Sequence, residues 1–234
     1  MPVREPLDVL DAIQSTRAQR YLKPDAIPEP ILWEILDAAV RGPTGGNHQG
    51  WAWIVLRDPT IKQEIGRVYE ERLKSIYGYE RVSDAVLGSG RMTRGGVQEG
   101  EVGIDVRNRR GVIHLADHFA EAPVIVAPVI EDATAGEDTR RAGAHLGSSI
   151  YGAVQNLMLA ARAFEIGSVF TWDLDETSGF NELLGMPECA RVMCLIPLGY
   201  LAQGSFSQPR RRPLGEVVHW EGWGKQVAHP GESS

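Results

Sequence analysis

The chain holds only two cysteines in 234 residues, Cys189 and Cys194. Two thiols so close in sequence make no disulfide framework, so the expected compartment is a reducing one, the cytoplasm. No apolar run approaches the roughly 20 residues of a membrane span. Nor does an apolar stretch follow Met1 to Pro6 in the way a signal peptide requires. Basic residues are in the minority, 24 against 31 acidic, giving a net charge of −7. That balance argues against general nucleic-acid binding, and the short clusters Arg107 to Arg110 and Arg210 to Arg212 do not reverse it. Several chemical signatures are missing as well. No Gly-Lys-Ser/Thr follows Gly42 to Gly46, so this is not a P-loop. No Gly-x-Gly-x-x-Gly follows a strand, which disfavours a built-in nicotinamide domain. No Gly-x-Ser-x-Gly elbow occurs. His114-Leu115-Ala116-Asp117-His118 has Leu where a zinc protease needs Glu, so two helix-face histidines and no metal are expected.

What is present is alternating periodicity. Apolar spacing predicts helices near residues 7–15, 28–40, 61–76, 112–119, 148–164 and 178–184. The helix from Ser148 to Phe164 is apolar on nearly all faces and should be central. Short β-branched runs predict strands at 51–56, 123–130, 167–172 and 191–198. Residues 78–110 are rich in Gly and Arg with little period and read as a lid or a disordered loop. Residues 131–141 read as a loop and 205–234 as a C-terminal arm. There is no internal repeat. The pattern predicts one α+β or α/β domain over residues 1–234.

One stretch is richer than the rest: Gly42-Pro43-Thr44-Gly45-Gly46-Asn47-His48-Gln49-Gly50-Trp51. Its glycines and proline make a sharp turn with bare backbone N–H groups. Thr44, Asn47 and Gln49 add short polar side chains. This suits a flat polar heterocycle, although a plain helix-to-strand connection would read the same way. Thr16-Arg17-Ala18-Gln19-Arg20 precedes it, and Arg210-Arg211-Arg212-Pro213-Leu214 lies near the end. Arg17 and Arg20 stand three apart at a helix end, so their side chains can reach one point, and arginine is a natural partner for a phosphate, because its planar fork donates two parallel hydrogen bonds.

In this order the three segments resemble the nitroreductase family of FMN-dependent oxidoreductases. The middle motif keeps Pro-Thr-x-x-Asn-x-Gln-x-Trp, with Gly50 where Pro is common. Ala18 stands where Ser is common, so one hydroxyl is missing. The resemblance spans about residues 6–224. It implies an α+β fold, a mixed central sheet flanked by helices, and an intertwined homodimer. It implies that Arg17, Arg20 and Arg211 hold the FMN phosphate and ribityl chain, beside Ala18. The Pro43-Thr44-Gly45 backbone and Asn47 would approach the flavin across the dimer interface. Gln49 would bond the ring or tie down the turn. Phe170 and Thr171 would meet the other face or the N5 edge, with Thr171 alternatively a plain strand residue. By residue type, Trp220 and Trp223 read as core anchors or dimer contacts, with interface packing the favoured of the two.

The activity so implied is hydride transfer from NADH or NADPH through flavin to a nitroaromatic, quinone or related acceptor, in a ping-pong cycle. No catalytic acid or base is needed, since the chemistry is the cofactor's own. The alternatives are a flavin-storing protein without turnover, a plain interaction protein, and a relative with other flavin chemistry such as reductive dehalogenation. The Glu, Tyr and Lys set of an iodotyrosine deiodinase is not evident.

Overall fold

A computed structural model describes residues 7–77, 106–131, 146–171 and 179–227. Helix α1 (Val9–Ser15) begins at Asp8, whose carboxylate accepts from the N–H groups of Leu10 and Asp11, an N-cap that satisfies two orphan donors. Helix α2 (Glu29–Ala39) has a proline in its first turn, where a missing N–H costs nothing. Its buried Ile31, Leu32, Ile35 and Ala39 form one stripe, packed on α5 (Tyr151–Ala163). Helix α5 buries Ala153, Val154, Leu157, Met158 and Ala161 and also meets α1 and the sheet. It has the central place its composition predicts.

The sheet has five strands: β1 (Trp51–Leu56), β2 (Val124–Glu131), β3 (Ile166–Ser168), β4 (Ala190–Val192) and β5 (Ile196–Tyr200). Their order is β1-β2-β5-β3, with β4 also pairing with β2. Where the resemblance implies a mixed sheet, every pairing among these described strands is antiparallel. Strand β2 is buried from Val124 to Ile130. Its side chains alternate between two cores, as the period of two requires. Val124, Val126 and Ile130 join α2 and α5. Ile125 and Ala127 join Ile65 and Tyr69 of α3 (Pro59–Tyr77) and Ile113 and Leu115 of α4 (Val106–Asp117). Buried Lys62, its ammonium held below the usual lysine range by burial, donates to the Ala122 carbonyl at 2.7 Å and ties α3 to the turn before β2.

Two expected strands differ. The run at 191–198 is not one strand but β4 and β5. Val129 pairs with Val192 and Val126 with Ile196. Ala127 and Pro128 therefore face Met193, Cys194 and Leu195, which is a β-bulge. Its cause is Pro128, which has no N–H to donate to the ladder and only accepts, from Met193 N–H at 2.8 Å. The run at 167–172 is likewise interrupted among its described residues: β3 ends at Ser168, an isolated bridge joins Thr171 to Leu195, and Trp172 lies outside the described residues. Helical structure before Val112 begins at Val106, so the last part of the expected lid is helix. Residues 78–105 of the lid, the loop at 132–141 and the end of the arm from 228 lie outside the described residues. Short helices α6 (Phe180–Leu183) and α7 (Leu214–Val217) complete the set.

The exit from α2 is pressed against α5. A Cβ on Gly42 would lie 2.6 Å from backbone atoms of Ala153. Gly42→Ala should lower the unfolding free energy by about 1–3 kcal/mol, read as a lower urea midpoint. Gly45→Ala, whose nearest neighbour would be Ser149 Oγ at 3.8 Å, should move that midpoint much less.

Candidate functional site

The Gly42 to Trp51 turn is held from within and from below. Thr44 Oγ1 accepts the Gln49 N–H at 3.1 Å, and Gln49 Nε2 donates to the Asn47 carbonyl at 3.4 Å. Gly45 N–H donates to Ser149 Oγ at 3.2 Å. Pro43 rests on Gly152, where a Cβ would sit 3.4 Å from the proline Cδ. Gly45 to Asn47 form a single 3-10 turn. The backbone is left-handed at Gly46 (φ 57°), Asn47 (φ 56°) and Gln49 (φ 53°). Glycine and asparagine accept this conformation readily; glutamine does so at a cost. Pro43, Gly45, Asn47 and Gln49 are all exposed. Among the described residues the Asn47 side-chain amide makes no hydrogen bond, so its donors and acceptor face outward. The bonds to Thr44 and Asn47 tie the Gln49 side chain and backbone into the turn.

The first arginine motif lies beyond α1, on extended backbone starting at Thr16 (φ −77°, ψ 102°). Gln19 N–H donates to the Ser168 carbonyl at 2.9 Å, and Leu22 bridges to Leu201, so the segment runs along the sheet. Side chains on extended chain alternate. Arg17 Nη2 and the buried Gln19 Nε2 both donate to the Ser205 carbonyl at 3.3 Å. Arg20 instead lies against Gly111 of α4. The expected convergence of Arg17 and Arg20 by helical spacing is thus not what the backbone provides. Ala18 is exposed between them.

Both guanidinium groups carry unspent capacity. Arg17 Nε is buried with no hydrogen-bond partner, an arrangement that costs free energy until an acceptor arrives. Half-buried Arg20 is pulled below the ordinary arginine range by burial, opposed only by the phenols of Tyr69 and Tyr21. Among the described residues no carboxylate pairs with it. A partly desolvated cation without a counter-charge suits an anionic ligand with several acceptor oxygens. Arg211 is not brought to these two: it is exposed and donates only to the Arg210 carbonyl, at 3.1 Å.

Phe170 is exposed and meets Tyr151 edge-on, with ring centroids 5.5 Å apart. Tyr151 opens α5, two residues after the Ser149 that holds the turn. Turn, Tyr151 and Phe170 therefore share one end of α5. Thr171 is buried, and its hydroxyl donates its one proton to the Leu195 carbonyl at 2.7 Å. That bond satisfies the strand end and leaves the hydroxyl oxygen its acceptor capacity. Tyr151, Ser149, Gln19 and Ser205 were missed in the sequence. Only Gln19 carried a signal, two positions after Arg17 on an extended segment.

The remaining reactive groups do not join this site. His114 and His118 stack face to face at 4.1 Å, as do Tyr21 and His114. Parallel imidazoles do not aim their lone pairs at one point. Burial, and then the neighbouring His118, hold His114 below the usual imidazole range. Cys194 is buried and its thiol is pushed up by burial, which leaves it unreactive; Cys189 is exposed.

Fold and site together define a sheet layered between helices, with a strained polar turn and underpaired arginines fit for an anionic ligand. The chain belongs to the Nitroreductase family, whose family model matches residues 13–200. It is 31% identical over 220 residues to an NADH dehydrogenase of Thermus thermophilus, covering 92% of this chain and 96% of that protein. It is 18% identical to human iodotyrosine deiodinase 1, covering 92% of this chain and 69% of the relative. Its fold is similar to a crystal structure of oxidized iodotyrosine deiodinase bound to FMN and 3-iodo-L-tyrosine. There the TM-score is 0.65 at 21% identity, covering 92% of this chain and all of that one.

The left-handed backbone at position 49 gives a direct test of the turn. Gln49→Gly should hold stability or raise it by up to about 1 kcal/mol. Gln49→Val, β-branched at positive φ, should lower it by about 1–2 kcal/mol. Urea unfolding of both variants reads the difference.

Proposed function

We propose that the protein is an FMN-dependent oxidoreductase that carries a hydride from NADH or NADPH to a quinone, a nitroaromatic or a related acceptor. The observation that carries this reading is the half-buried Arg20 guanidinium with no carboxylate partner among the described residues, close in sequence to the partnerless Nε of Arg17. FMN, anionic and lined with acceptor oxygens from its phosphate to its ring, offers the counter-charge and the acceptors that these groups lack. Membership of the family and the NADH dehydrogenase name of the Thermus relative support the redox chemistry.

In this reading Arg17, Arg20 and Arg211 hold the phosphate and ribityl end. The Pro43 to Gly45 backbone and the free Asn47 amide orient the ring, and Phe170 with Tyr151 closes one side of it. Thr171 serves indirectly, by fixing the strand end that presents Phe170. Bound there, FMN supplies the capacity to take up and give out two electrons as hydride. The chain's contribution is to bind, orient and exclude water, with no side chain acting as acid or base. Nicotinamide and acceptor take the same place in turn. The purified protein should be yellow and should oxidise NADH or NADPH with added quinone. Double-reciprocal plots at several quinone concentrations should be parallel. A colourless protein that fails to quench FMN fluorescence would overturn the reading. A yellow, reducible protein without turnover would instead favour storage.

We propose further that the working form is a homodimer in the cytoplasm. Among the described residues no helix is long and apolar enough to cross a membrane. The outer edge of β1 has no partner strand among the described residues, and open apolar edges invite another chain. Leu214, Trp220 and Trp223 in the arm are exposed, Trp223 at 93%. Such a run of bare apolar side chains calls for a covering surface. Truncation before Arg210 should therefore cost both dimer and flavin, read together by sizing chromatography with absorbance at the flavin band.

Reductive dehalogenation is the second reading, favoured by the deiodinase relatives. Iodide release from 3-iodo-L-tyrosine by the reduced protein, with no turnover of quinones, would decide for it.

A further inference from the structure

The extended segment after α1 crosses the sheet where two glycines leave room for it. Gly167 of β3 pairs with Gly199 of β5. A Cβ on Gly167 would stand 3.0 Å from Gln19 Cβ, and one on Gly199 would stand 3.0 Å from Leu22 Cβ. Gln19 is pressed into the fold there, 6% exposed, and a buried amide must find a partner. Its partner is the Ser205 carbonyl, 3.3 Å away, and the same oxygen accepts Arg17 Nη2 at 3.3 Å. Side chains two positions apart lie on one side of an extended chain, and these two meet on one acceptor at the root of the C-terminal arm. That acceptor is itself fixed. Gly204 has φ 82°, a conformation that favours glycine, and a Cβ there would lie 4.0 Å from Arg17 Nη2. Beyond Ser205, the Arg162 guanidinium lies 4.1 Å over the Phe206 ring, and Arg162 Nε donates to Ser15 Oγ at 2.9 Å. Gln208 Nε2 donates to Gln14 Oε1 at 2.6 Å.

We propose that Gln19 and Gly204 are positioning residues that hold the Arg17 guanidinium, through the shared Ser205 carbonyl, for the phosphate of FMN. This rests on the reading of Arg17 as a phosphate ligand. The physical case is preorganisation without neutralisation. A long guanidinium side chain has many rotamers to lose on binding, and fixing one of them beforehand removes that cost. A carboxylate would fix the fork too, but it would cancel the charge that a phosphate needs. A carbonyl fixes it and leaves the charge whole. The carbonyl oxygen has two lone pairs, one for each donor, and Gln19 anchors it from the buried side. Among the described residues no carboxylate pairs with Arg17, and its buried Nε has no acceptor. The guanidinium is therefore held at one corner and open to an anion at the rest.

The test is fluorescence titration of the full-length apoprotein with FMN and, separately, with riboflavin, which lacks the phosphate. Gln19→Met keeps the length of the side chain and removes its donor. It should raise the Kd for FMN by roughly three- to tenfold, with riboflavin changed by less than about twofold. Gly204→Ala, at an exposed position, should act in the same direction by turning the Ser205 carbonyl, and it carries the test if Gln19→Met does not fold. In an Arg17→Ala background neither substitution should change the preference for FMN over riboflavin, since both act through that side chain. The proposal is overturned if Gln19→Met and Gly204→Ala weaken both flavins equally, or if their effect on the preference persists without Arg17. Should Arg17→Ala itself leave the preference intact, the phosphate reading falls, and this proposal with it. If Arg17→Ala abolishes the preference while Gln19→Met and Gly204→Ala leave it intact, only the positioning role is lost.

Discussion

A strand buried on both faces has to be covered twice, and β2 imposes that requirement on the whole chain. Its alternate side chains enter two cores, one closed by α2 and α5 and the other by α3 and α4. The strand also contains Pro128, which cannot donate to a neighbour. Beyond the bulge opposite that proline, Leu195 bridges Thr171 in the same antiparallel register in which β3 pairs with β5. Thr171 is pinned there by both its N–H and its hydroxyl, which leaves Phe170 presented beside Tyr151. The position of one aromatic ring at the site thus follows from the register of β3 on β5.

The same end of α5 receives the other half of the site. The close approach of Gly42 to Ala153 fixes the direction in which the chain leaves α2. Ser149 and Gly152 then hold the turn from beneath while its polar edge stays exposed. Within the turn both Asn47 and Gln49 keep a left-handed backbone, and Gln49 does so at the greater cost.

Much of this was legible in the residues. Helical and strand periods place α1, α2, α3, α5, β1 and β2 within a few positions. The turn motif and the first arginine pair were visible as chemistry before their geometry was known. What could not be read was anything set by contact across the chain. The division of residues 191–198 depends on Pro128, more than sixty positions earlier. The separation of Arg17 from Arg20 depends on α1 ending at Ser15 and the chain going extended, which turns a helical spacing into an alternation. The hydrogen bond that Thr171 donates depends on which carbonyl its hydroxyl can reach. Local sequence gives elements and chemical inventory; direction comes from packing.

The two cysteines bear on how the molecule can be observed. Cys194 is sealed in the core with a raised thiol pKa, while Cys189 stands exposed in the short connection between α6 and β4. A thiol-specific spin label or fluorophore will therefore attach at one position per chain without mutagenesis. That connection is firm, because the Asn181 amide donates to the carbonyls of Pro187 and Ala190, each at 3.0 Å. The natural sequence thus offers a single rigid reporter, from which distances within an assembly can be measured directly.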